Sequence, residues 1–224
     1  MTTDYVNISG FTVTGVYYDT VGIYLSGVAH CNISDNNASN NGYGIYLNSS
    51  SHNTLTGNTN LLNHRDGIHL DSSFNNTLIS NNIYSNGGQG IYLDYSNNNV
   101  ISTNNCSSNY CGIYHIHSDR NIIFNNNCSS NDYSGILIVL SNDNILIKNN
   151  CLRNNQSGPN VSGKGIHLSN SNSNTISDNN CSSNEWVGLY VICSNNNTIS
   201  NNIFFRTTGM AFSYIILRTI ISYI

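Results

Sequence analysis

Apolar residues recur along this chain on a fixed beat. A glycine opening a "GIYL"-like tetrapeptide stands at Gly22, Gly44, Gly67, Gly90, Gly112, Gly135, Gly165 and Gly188, with steps of 22, 23, 23, 22, 23, 30 and 23 residues. Aligned on that glycine, the next residue is Ile23, Ile45, Ile68, Ile91, Ile113, Ile136, Ile166 or Leu189. Eleven residues on stand Ile33, Leu55, Leu78, Ile101, Ile123, Leu146, Ile176 and Ile199. Sixteen on, the column holds Ala38, Asn60, Ile83, Cys106, Cys128, Cys151, Cys181 and Phe204. Each apolar group is too short for a helix and alternates with period two, the mark of a strand.

Asparagine fills three further columns, nine, fourteen and nineteen residues after the glycine, as at Asn76, Asn81 and Asn86. Asparagine tolerates left-handed backbone conformations and makes local turns. Stacked in register, its amides can also bond from rung to rung. Three short strands separated by three asparagine corners make one coil. The expected fold is therefore all-β, a right-handed parallel β-helix of about eight rungs of 22–23 residues with three short strands each. With rungs about 4.8 Å apart, eight would stack to roughly 40 Å. One unit carries an insertion, "NNQSGPNVSGK", from Asn154 to Lys164.

Composition narrows the reading. Only 8% of residues are charged and the formal net charge is -4, so no basic patch for nucleic acid is present. The 15 tyrosines and the strict apolar beat exclude disorder. A single domain is expected over residues 1–204, with 205–224 a degenerate last rung, a cap or a truncated end. The apolar run from Met210 to Ile224 is short and broken by Arg218, so no membrane span is assigned. That end is expected to be sticky, through self-association or a missing partner domain, because an uncapped solenoid end exposes strand edges.

The pattern G-I-x-L-x-x-S-x-x-N-x-I-x-x-N-x-C-x-x-N covers about Ile8 to Phe204. It resembles the parallel β-helix repeat family of NosD-type periplasmic proteins and carbohydrate-binding or sugar-hydrolysing repeat proteins. The resemblance implies an extracellular, periplasmic or cell-surface location, although no leader peptide is readable in the chain. The implied function is a carbohydrate-binding or structural surface module. The resemblance leaves open a polysaccharide-acting hydrolase, lyase or epimerase, and a copper-related accessory role. No cofactor is expected.

The outward column two residues after each glycine is the candidate ligand face: Tyr24, Tyr46, His69, Tyr92, Tyr114, Leu137, His167 and Tyr190. Flanked by inward Ile and Leu, these side chains are expected to face solvent and offer stacking surfaces to sugar rings. The same tyrosines also serve simply as good strand residues. Asp71 and Asp94 share a column on adjacent rungs and, with Asp66 and His69, form the candidate catalytic patch, since paired carboxylates can hydrolyse glycosides. The Asp-pair and Gly-His-Gly motifs of pectin hydrolases are missing, so a binding module is read ahead of an enzyme.

His30 and His52 share a corner column on adjacent rungs and are the only metal candidates, with no HxxxH or CxxC spacing to support them. His115 occupies a normally inward leucine position and reads as a core residue. The column of Cys106, Cys128, Cys151 and Cys181 reads as small buried hydrophobes, free rather than bridged.

Overall fold

The computed structural model describes residues 1–15, 17–155 and 163–205, together with the backbone of two strands, Phe212–Ile215 and Ile220–Ile221. The chain is a right-handed parallel β-helix built from a nine-stranded, a ten-stranded and a five-stranded sheet. Among the described residues every strand pairing is parallel and joins one rung to the next, for example Ile68–Asp71 to Ile91–Asp94 with Ile68 opposite Ile91 and Asp71 opposite Asp94. The five-stranded sheet narrows to single bridges in the later rungs, from Asn105–Asn127 to Asn180–Ile203. The expected fold is thus observed, and the insertion's residues 156–162 lie outside the described residues, as does the sticky end expected beyond residue 205.

The "GIYL" strands supply the nine-stranded sheet and two inward columns. Ile45, Leu47, Leu55, Ile68, Leu70, Leu78 and Ile83 are all fully buried. Burial of that kind contributes about 1.5–3 kcal/mol per large aliphatic side chain. The glycine column is fixed by close contacts within its own rung and from the rung that follows. A Cβ on Gly112 would stand 2.5 Å from the carbonyl oxygen of Gly135, and one on Gly67 would stand 2.2 Å from Ile83 Cγ2.

The corners differ from the expectation in an instructive way. The left-handed residue is the one before each ladder asparagine, and its identity varies: Asp35, Ser80, Thr103, Asn125, Lys148 and Asp178 precede the ladder of Asn36, Asn81, Asn104, Asn126, Asn149 and Asn179. Asparagine is therefore there for its amide. Asn104 Oδ1 accepts from Asn81 N at 2.9 Å and from Asn81 Nδ2 at 3.0 Å. Asn104 Nδ2 in turn donates to Leu78 O at 2.9 Å and Asn126 Oδ1 at 3.0 Å. One side chain thus satisfies four bonds that span consecutive rungs. Buried polar groups cost free energy unless bonded, and here the bonds are complete.

A fourth corner was not expected. Left-handed residues such as Ser49, Ser72, Tyr95 and His117 precede Ser50, Ser73, Ser96 and Ser118. Those serines form their own ladder, with Ser73 N donating to Ser96 Oγ at 3.0 Å and Ser96 N to Ser118 Oγ at 2.9 Å.

Two residues interrupt the apolar interior. His115 is fully buried in the leucine column with neither ring nitrogen bonded, and burial pulls its pKa down to about 3. Asn60 is buried opposite Ile83 with both amide atoms unpartnered. The cysteine column is as expected. All seven cysteines are free, and burial raises the pKa of Cys128 and Cys181.

Candidate functional site

The outer face of the nine-stranded sheet carries a ribbon of rings running along the solenoid axis. Tyr24 and Tyr46 lie 5.5 Å apart by ring centroid, Tyr46 and His69 4.4 Å, His69 and Tyr92 4.7 Å, and Tyr92 and Tyr114 5.2 Å. Leu137 interrupts the ribbon, which resumes with His167 and Tyr190 at 4.9 Å. Parallel in-register pairing produces this: Tyr46, His69, Tyr92 and Tyr114 are direct cross-strand partners. Edge and offset contacts at these distances suit the aromatic quadrupole.

The column is less open than expected. Tyr24 is 40% exposed, but His69 and His167 are each 9% exposed and Leu137 8%. Side chains from one and two residues before the glycine fold over the same face and cover them. The Tyr43 ring stands 5.3 Å from Tyr46 and 5.4 Å from His69, and Trp186 stands 5.0 Å from Tyr190.

At the third rung the face is acidic. His69 Nδ1 lies 2.8 Å from Asp66 Oδ2, both side chains nearly buried, while Asp66 Oδ1 accepts from Gln89 N at 2.7 Å. Asp66 therefore has both oxygens engaged, and with Nδ1 committed to it the imidazole's outward nitrogen is Nε2. Asp71 takes no part in that pair. It accepts from Tyr46 Oη at 3.4 Å and Ser72 Oγ at 3.0 Å. Burial and then Asp71 push the Tyr46 phenol up to about 12. Asp94, in register with Asp71, has Oδ1 3.6 Å from His117 Nδ1, beyond hydrogen-bond reach, and both atoms lack a protein partner. Burial and the Asp94 charge raise the Tyr92 phenol as well. Arg65 donates to Tyr43 Oη at 3.0 Å and Asp19 Oδ1 at 3.2 Å, and lies over the Tyr18 ring at 4.7 Å.

At the seventh rung the face is built around a cation. Lys164 is 3% exposed, with Nζ 4.2 Å from the Tyr133 ring centroid, 4.9 Å from Trp186 and 5.8 Å from Tyr190. Burial lowers its pKa to about 8. Burial, then Lys164, lowers His167 to about 3, and neither His167 nitrogen has a protein partner. Counting forward from each glycine missed this centre. Its signal was the pair of positions before the glycine, where Tyr133, Lys164 and Trp186 stand.

The sequence-based metal candidates do not converge. His30 and His52 stack face to face at 5.3 Å with planes 15° apart, and Tyr5 stacks on His30 at 5.0 Å. Among the described residues, no three His, Cys, Asp or Glu side chains gather around one point. Nor is any helix among them long and apolar enough to cross a membrane.

The profile of the family described as periplasmic copper-binding protein (NosD) matches residues 1–99 and 63–210. No curated protein matches the chain's sequence. Among solved structures, the periplasmic alginate epimerase AlgG is similar with a TM-score of 0.68 and 20% identity over 87% of this chain and 50% of that one. The mannuronan C-5 epimerase AlgE4 A-module of Azotobacter vinelandii gives 0.71 and 18% over 84% and 56%. The tailspike protein 2 of bacteriophage CBA120 gives 0.71 and 18% over 88% and 36%. The chain thus spans about half or less of the length of these structures, and at such identities the likeness is one of fold.

Proposed function

The chain belongs to the NosD family, and from that premise we propose that it is an extracytoplasmic β-helix module that binds carbohydrate along its aromatic ribbon. The observation that carries the reading is the unbroken run of ring contacts from Tyr24 to Tyr114, each at 4.4–5.5 Å. Rungs repeat at about 4.8 Å, close to the length one pyranose adds to an extended chain. A linear glycan laid along the axis would therefore meet an aromatic side chain at each step. Pyranose rings present apolar C–H faces, and the half-buried, mutually packed tyrosines offer rigid surfaces at low entropic cost. The polysaccharide enzymes named among the similar structures share this scaffold and lend the reading support.

A glycan array tests the proposal. The chain is expected to bind at least one linear polysaccharide class, and Tyr46→Ala with Tyr92→Ala is expected to weaken it roughly tenfold. Unchanged affinity in the double variant removes the ribbon from the function.

The described residues do not fit a copper ion, the ligand in the family's description. The seven histidines and seven cysteines all lie within the described residues, and no three of them, with or without Asp or Glu, gather around one point.

A second reading rests on the Asp66–His69 pair. A carboxylate at 2.8 Å from Nδ1 fixes the imidazole so that Nε2 can move a proton at the ribbon's surface. Asp71 and Asp94, on adjacent strands, lie beside it. In this reading the protein acts on the polysaccharide it holds. Turnover in a screen of polysaccharide substrates that survives His69→Gln and Asp71→Asn with Asp94→Asn excludes it.

A further inference from the structure

The outer face of the ten-stranded sheet changes character at mid-height. In its short strands the middle residue is buried and the two beside it face out, as with Leu55 between Thr54 and Thr56, and Leu146 between Ile145 and Ile147. Toward either end of the column those outward residues are threonine, serine or asparagine, such as Thr54 and Thr56 in one rung and Thr175 and Ser177 in another. The four rungs between these two carry Ile79, Val100, Ile122, Phe124, Ile145 and Ile147, held in register from strand to strand. Ile122 is 41% exposed, Phe124 39% and Ile145 36%. Threonine also suits a strand and keeps a hydroxyl for water, so strand propensity alone does not account for the exposed Ile and Phe. A contiguous apolar patch with a polar rim marks an interaction surface.

The rim says which partner fits. The strand Ile145–Ile147 has Asp143 before it and Lys148 after it, both exposed. Among the described residues neither of these side chains is in an ion pair. We infer that this face binds a second copy of the chain, the two columns lying side by side about a two-fold axis parallel to their length. Such an axis lays each strand over its own copy running the opposite way. Asp143 of one copy then meets Lys148 of the other, and symmetry makes the contact twice. Ile145 and Ile122 close over Ile147 and Phe124 of the partner, as in the aligned packing of two sheet faces. A strand with an acid at its start and a base at its end is complementary to itself in this arrangement, and a self-complementary contact closes at two copies. The ring-bearing face belongs to the nine-stranded sheet and stays uncovered, so the inference stands apart from the carbohydrate reading.

Sedimentation equilibrium on the full chain in low-salt buffer tests this directly. A monomer–dimer equilibrium with a Kd on the order of 10 µM is expected, as suits a small patch. Phe124→Ser with Ile145→Thr installs residue types that the same columns hold in other rungs, so an intact melting transition is expected. The dimer is expected to weaken about a hundredfold or more, because each substitution counts twice across the axis. Asp143→Lys is expected to weaken it about tenfold or more, and Asp143→Lys with Lys148→Asp to restore it to within about threefold. These two charge variants alter only exposed side chains and carry the test if the apolar variant does not fold. A protein that stays monomeric up to about 200 µM overturns the inference. So does association that grows past the dimer, or that survives the changes at Phe124 and Ile145, since either places the contact elsewhere on the column. A dimer that the double charge reversal does not restore overturns the side-by-side arrangement.

Discussion

The inside and the outside of the same rungs obey different rules. Inside, a residue and its equivalent one rung away have the same partners. Asn81, Asn104 and Asn126 repeat one bonding scheme, and each passes an amide to the next. Outside, equivalence of position does not mean equivalence of environment. His69 and His167 occupy the same column, yet one bonds Asp66 at 2.8 Å and the other lies unbonded near Lys164. The difference lies in the residue just before the glycine, Asp66 in one rung and Lys164 in the other. The interior thus holds a scheme constant while the neighbouring outer columns set local chemistry, and one scaffold can carry two unlike centres on the order of 19 Å apart, four rungs along the axis.

The most damaging way to break this contrast is to remove a ladder member. Asn104→Ala deletes four buried bonds at roughly 1 kcal/mol each, so a loss of about 4 kcal/mol is expected in urea unfolding. A loss below about 1 kcal/mol means that water replaces the amide and that the ladder is not a major source of stability.

On the outer face, Asp66→Ala leaves His69 Nδ1 and Gln89 N without their acceptor. A loss of about 2–3 kcal/mol is expected in the same measurement, smaller than for the ladder because the face can admit water.

Interior exceptions should behave in the opposite sense. His115→Leu restores the leucine column and removes an unbonded buried imidazole, so stabilisation of about 1–3 kcal/mol is expected near neutral pH. The sign with pH follows from the depressed value. His115 folds neutral with a pKa of about 3 against 6.5 in the unfolded chain, so its unfolded form binds the extra proton. Stability is full above pH 6.5 and falls as pH drops toward 3, at up to about 1.4 kcal/mol per pH unit. His167 adds a slope of the same sign over the same window. The His115→Leu variant is expected to lose stability less steeply on acidification, and an identical slope shows that His115 takes its proton without unfolding.

The finest test concerns the outer column. Lys164→Met removes the second cause of the His167 shift and leaves burial, the first, so His167 is expected to titrate slightly higher by NMR. A downward movement shows that the Lys164 charge does not act on that ring.

How much of this was legible beforehand follows from the same division. The register, the three apolar columns and the asparagine ladders are visible because each repeats in nearly every rung. Their role was misread in one respect. The left-handed strain sits on the preceding residue, such as Thr103 or Lys148, and both of these are exposed. The serine ladder was visible as a column but not as a corner, since a hydroxyl accepting one backbone N–H leaves little compositional trace. Asp66, His69, Asp71 and Asp94 were visible as a patch, but the sequence could not say that Asp66 binds His69 while Asp71 binds Tyr46. The Lys164 cage was hidden because only one rung carries it and Lys164 is the last residue of the insertion.

The ladders also decide how the molecule can come apart. Each rung touches only the rungs above and below, so no distant contact bridges a broken one. A lesion in the middle, at Asn104 for instance, would divide the column into two stacks that melt on their own schedules, whereas the same lesion near a terminus would shorten it by a turn. For a given type of lesion, sensitivity to damage is therefore also a function of height along the axis.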